Sequence, residues 1–97
     1  MSYKVDFAPD AAAVIRTVHP RLGWKILDAI DRLCADPVSL SIPFYSAPAG
    51  RYQMYETALE EGNEKWLLKI FFSYLPDELT LNIDDLILTP LDPLEYR

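Results

Sequence analysis

Tyr3, Val5 and Phe7 alternate with Lys4 and Asp6, the period-two pattern of a strand with one buried face. Pro9 then sets φ for a first helical position, and Asp10 beside it favours the positive start of a helix. Ala11, Val14, Ile15 and Val18 follow at i, i+3, i+4 and i+7, one apolar stripe of a short helix. His19-Pro20 ends it, because the residue before a proline is pushed out of the α region. A second helix starts at Pro20, with Leu22, Ile26, Leu27, Ile30, Leu33 and Cys34 as its stripe. Arg21, Lys25, Asp28, Asp31 and Arg32 lie outside the stripe, and Asp36-Pro37 closes the helix. So short a connection between two helices predicts an antiparallel α-hairpin.

Residues 37–50 hold three prolines, three serines and no charge, and read as a loop crossing from helices to sheet. Two long strands are expected over Gly50 to Leu59 and Lys65 to Leu75, turned at Glu60-Glu61-Gly62-Asn63. In the second, Trp66, Leu68, Ile70, Phe72 and Tyr74 share one face. Leu67, Lys69, Phe71 and Ser73 share the other. After a turn at Pro76-Asp77-Glu78, Leu79, Leu81 and Ile83 alternate with Thr80, Asn82 and Asp84, a further strand. Leu86-Ile87-Leu88 either continues it past a kink or forms a separate short piece, and the tail from 89 to 97 reads as irregular. The order is β-α-α-β-β-β. This is an α+β chain: a helical hairpin packed on a curled, mostly antiparallel sheet, in one domain over 1–97.

Charge changes the picture more than composition does. The 97 residues are 51% hydrophobic and 25% charged, a profile that folds without staples. Nine Lys and Arg against fifteen Asp and Glu give a net charge of −6, the wrong sign for a protein that grips nucleic acid through a broad basic face. The acid is also unevenly placed. Residues 1–35 carry five cations against four acids, whereas 36–97 carry four against eleven. One cysteine, Cys34, excludes an intramolecular disulfide and a cysteine-based zinc cluster. One histidine and scattered acids offer no metal-ligand spacing, and three glycines make no phosphate-cradling loop, so no cofactor is expected. The first residues lack a signal-type apolar run, and Trp66 to Leu75 is too short to span a bilayer. A soluble, cytoplasmic protein is expected.

The chain resembles the RelE/ParE toxin superfamily of bacterial toxin–antitoxin modules over nearly its whole length. Tyr3 to Ala11 is similar to the family's opening strand and its "F-[ST]-P-[ED]-A" helix start, with Ala8 where a hydroxyl usually stands. Ile26 to Pro37 is similar to the second helix, commonly "ILEAIEKLAEDP", and Leu68-Lys69-Ile70-Phe71-Phe72 to a strand commonly "YRVIY". The resemblance implies an antitoxin partner wrapping helices and sheet. It implies one of two actions: metal-free mRNA cleavage on the ribosome, or poisoning of DNA gyrase. Cleavage needs a base for the 2′-hydroxyl, cations for the phosphate and an acid for the leaving oxygen.

Carried over by position, Lys69 stands for a strand arginine, Arg51 lies near another basic position, and Tyr96 before Arg97 matches a "VY" ending. These three are the candidate catalytic residues. The family's "HR" or "FxKK" after the last strand is Thr89-Pro90-Leu91-Asp92 here, without base or cation, and Tyr55-Glu56-Thr57 lacks an "E-L-R" arginine. Each candidate also has a plainer reading. Lys69 can pair with Glu56 across the hairpin, Arg51 can be an edge residue, and Tyr96 can clasp the body. Trp24, Tyr52 and Tyr55 are candidates for partner binding, since an exposed Trp needs a partner and strand aromatics stack or pack. His19 reads as a turn residue and Cys34 as a buried thiol with no basic neighbour. Two functional classes stay open: a toxin acting on translation or gyrase, and a non-catalytic protein-binding module on the same fold. Homodimer formation is open in both.

Overall fold

The computed structural model describes residues 3–47 and 50–91. Strand β1 (Lys4–Phe7) leads into helix α1 (Pro9–Thr17), which starts at the expected proline. Its N-cap, Ala8, is extended and makes no side-chain capping bond. Val18 leaves the helix at φ −83° and ψ 164°. Helix α2 (Pro20–Ala35) is then capped by His19, whose Nδ1 accepts the Arg21 backbone N–H at 3.2 Å. The cap fills one of the donor positions that a helix start leaves unpaired. On α2 the buried set is Leu22, Gly23, Ile26, Ala29, Ile30, Leu33 and Cys34. Leu27 is only half-buried, and Ala29 joins the packed face in its place.

Residues 37–50 are not simply a loop. Pro37–Leu40 forms a one-turn helix, α3, whose cap Asp36 accepts the Ser39 N–H at 3.3 Å, and Ile42–Ala47 forms strand β2. No local alternation announces β2, because pairing with β3 (Gly50–Glu61) holds it in place. Its proline, Pro43, is tolerated because β2 is an edge strand. Strand β4 (Glu64–Leu75) returns from β3 through Gly62-Asn63, where Gly62 adopts φ +61°. Strand β5 (Thr80–Pro90) follows a 3₁₀ turn over Pro76–Glu78.

Leu86-Ile87-Leu88 continues β5 rather than forming a separate piece. The pairing steps from Ile83 opposite Phe72 to Asp85 opposite Phe71, so Asp84 is the extra residue of a β-bulge. Thr89 and Pro90, expected in the irregular tail, still face Leu67 and Trp66, and the Leu91 N–H reaches the Lys65 carbonyl at 2.9 Å. The strand runs on because β4 offers that many ladder partners, and a proline at a strand end costs little pairing. The order is therefore β-α-α-α-β-β-β-β.

The five strands lie in the order β1-β5-β4-β3-β2. β1 runs parallel to β5 and every other pair is antiparallel, so the sheet is mixed and the class is α+β as expected. Leu68, Ile70, Phe72, Leu81, Ile83 and Leu86 make one buried face, and α1 and α2 pack on it through Ala11, Ile26, Ile30 and Leu33. Among the described residues no helix packs on the other face, and no helix is long and apolar enough to cross a membrane.

Candidate functional site

Residues directly opposite across an antiparallel pair share a face, so the register sorts the candidates. The register position of Arg51 is opposite Tyr74, that of Gln53 opposite Phe72 and that of Tyr55 opposite Ile70, all on the helix-covered side. Lys69 stands opposite Glu56 on β3 and Ile87 on β5, on the open side. The two strand cations expected to share a phosphate thus occupy register positions on opposite faces of the sheet. Tyr96 lies outside the described residues.

The three aromatics are likewise separated. Trp24 is 69% exposed on α2, away from the packed stripe. Tyr52 is 38% exposed on the open face opposite Ser73, and Tyr55 packs against the core on the other. His19 caps a helix, and Cys34 is buried. Burial, and then the nearby Asp31 charge, push the Cys34 thiol above its ordinary range, which suits an inert packed side chain.

The open face has an ordered pattern of its own. Ile42, Met54, Phe71 and Asp85 form one row across four strands, and Glu56, Lys69 and Ile87 form the next. Beyond Phe71 the bulge brings in Asp84. The Ser73 hydroxyl donates to its carboxylate, while Oδ2 is buried with no hydrogen-bond partner among the described residues. Burial raises the Asp84 carboxyl above its ordinary value, and the Ser73 bond opposes this in part. Asp85 Oδ1 accepts the Leu86 N–H at 2.9 Å. Lys65 on this side is bound to Glu60 at 3.2 Å. Such a surface, apolar in the middle and acidic at one end, suits protein contact better than a polyanion.

A second concavity has no counterpart in the sequence pattern. A groove of about 1020 Å³ opens between the helical hairpin and the β3–β4 turn, with Val14, Val18, Leu22, Trp66 and Leu88 among its apolar walls. Arg21 and Glu61 meet across its rim at 3.6 Å, and Trp66 Nε1 is buried with no partner among the described residues. The groove joins elements some forty residues apart in sequence, so local patterning carries no sign of it. Among the described residues, no group of three or more His, Cys, Asp or Glu is placed to hold a metal ion.

No protein-family model matches this sequence, and no curated protein does. Among solved structures, the chain is similar to the toxin–antitoxin complex RelBE2 from Mycobacterium tuberculosis. The TM-score is 0.61 at 17% identity, covering 89% of this chain and 96% of that one. The chain shares the fold of that structure. At that identity the likeness concerns architecture, and a fold carries its functions on side chains that each sequence supplies for itself.

Proposed function

We propose that this chain is the toxin-type component of a bacterial toxin–antitoxin module, bound by an antitoxin-type protein and acting through protein contacts rather than by cleaving RNA. Its fold, shared with a chain of a toxin–antitoxin complex, supports the module reading. One observation carries the choice of mechanism. Arg51 and Lys69 take register positions on opposite faces of the sheet, and the residue directly opposite Lys69 is the acid Glu56. Metal-free cleavage needs cations converging on one phosphate. A poison of a protein target such as gyrase needs a complementary surface and no reacting group. A cytoplasmic setting follows from either target.

The other reading is metal-independent cleavage of mRNA on the ribosome, with Lys69 as the phosphate contact. What favours it is the place of Lys69, half-buried in the middle of the open face.

Induction in a bacterium, with growth as the readout, tests the proposal. Growth arrest is expected, relieved by co-expression of the product of an adjoining short reading frame and unchanged by Lys69→Ala or Arg51→Ala. Arrest abolished by those substitutions would favour cleavage. No arrest at all would overturn the toxin reading and leave a non-catalytic binding module on the same fold.

A further inference from the structure

The open sheet face holds a row that is unusual for a solvent-facing surface. Ile42 stands opposite Met54, Met54 opposite Phe71, and Phe71 opposite Asp85. Ile42 is 59% exposed, and Tyr52 and Ile87 in the flanking rows are also exposed. At the usual strand spacing the row is about 14 Å long, the span of roughly four to five extended residues. Within the row Met54 and Phe71 are half-buried, and apolar side chains aligned across a sheet and partly open to solvent mark a contact surface rather than scattered surface hydrophobics.

The charges around the row say what it fits. At the β5 end stand Asp84 and Asp85, side by side because of the bulge, with Asp6 of β1 in the neighbouring row opposite Asn82. Asp84 Oδ2 has no donor among the described residues. On the β3 side stands Glu56. Lys65 is committed to Glu60, and Lys69 faces Glu56. The chain as a whole carries −6, so its long-range field also repels acidic partners and draws in basic ones.

We infer that the open face of the sheet is the docking surface for a cationic amphipathic segment of a partner protein. Its apolar side chains cover Ile42, Met54 and Phe71, and its Lys or Arg side chains meet Asp84 and Asp85. The inference rests on the reading that the chain acts through protein contacts, and it names the chemistry of the partner. The segment is basic because the acids lie at one end of an apolar row, where a cation bonds at the rim while its neighbours stay dry. An acidic segment would set like charges together beside a low-dielectric surface.

Two short synthetic peptides serve as probes, one alternating leucine with lysine and one alternating leucine with glutamate. Each is titrated into the isotope-labelled full chain while backbone amide resonances are followed. The lysine peptide is expected to bind, more tightly at low salt, with shifts centred on Met54, Phe71 and Asp85. Asp85→Asn keeps the acceptor for the Leu86 N–H and removes the charge, and it is expected to weaken binding about threefold, the scale of one exposed charge pair. Ile42→Lys, at an exposed position that folding tolerates, is expected to abolish binding. Equal binding of the glutamate peptide would overturn the inference, as would shifts centred on His19 and Trp66 in the groove. Because these readouts do not involve growth, a failure here leaves the toxin reading standing, and loss of arrest leaves this one standing.

Discussion

Glu56 and Lys69 stand directly opposite each other on β3 and β4, on the face of the sheet left open by the helices. A lone lysine between Leu67 and Phe71 along its strand is easily read as a site residue. Its directly opposite cross-strand neighbour is instead an acid of opposite charge. A double-mutant cycle between Glu56→Ala and Lys69→Ala, read by urea unfolding, is expected to give a coupling of about 0.2–1 kcal/mol that shrinks with added salt. Zero coupling at low salt would free the lysine for another role.

Ala8 occupies the N-cap of α1 in an extended conformation and supplies no capping oxygen. Ala8→Ser adds one without altering the backbone. A gain of about 1 kcal/mol in unfolding free energy is expected. Unchanged stability would mean that water already satisfies those donors.

Gly62 turns the β3–β4 hairpin at φ +61°, and a Cβ at this position would meet nothing within 4 Å. The cost of Gly62→Ala is therefore conformational and not steric, about 1–2 kcal/mol. Gly62→Asn is expected to cost less, since Asn tolerates that region. Equal losses for the two would contradict this.

Asp84 is the acid raised by burial at the β5 bulge. A carboxyl raised in the folded state binds protons there before it does so unfolded, so stability falls as pH climbs from the ordinary carboxylate value through the raised one. The penalty is fully present above the raised value and absent below the ordinary one. Asp84→Asn is expected to stabilise the protein at pH 7, with the gain vanishing below the ordinary carboxylate value near pH 4. Paired unfolding curves at the two pH values check it, and a gain equal at both would exclude the titration as its cause.

The elements with their own local rhythm are legible in the amino-acid sequence alone. The stripe Leu22, Ile26, Ile30, Leu33 and the alternation Leu68, Ile70, Phe72, Tyr74 mark the two surfaces that meet in the core. Strand β2 is not legible there, because Ile42–Ala47 owes its form to pairing with β3, and partner strands leave no trace in local periodicity. The sequence leaves open whether Leu86-Ile87-Leu88 continues the strand past a kink, and only the register shows that kink as a bulge at Asp84 inside one strand. The candidate site follows the same rule. Residue types point to Lys69 and Arg51, but whether two strand residues share a face depends on hairpin register, which the turn at Gly62-Asn63 sets.

Action by protein contact, as proposed above, leaves cellular RNA uncut. Mapping the 5′ ends of cellular mRNA after induction tests this most directly. Action by contact predicts growth arrest with no new 5′ ends in translated messages. New ends that appear during translation and vanish with Lys69→Ala would contradict it.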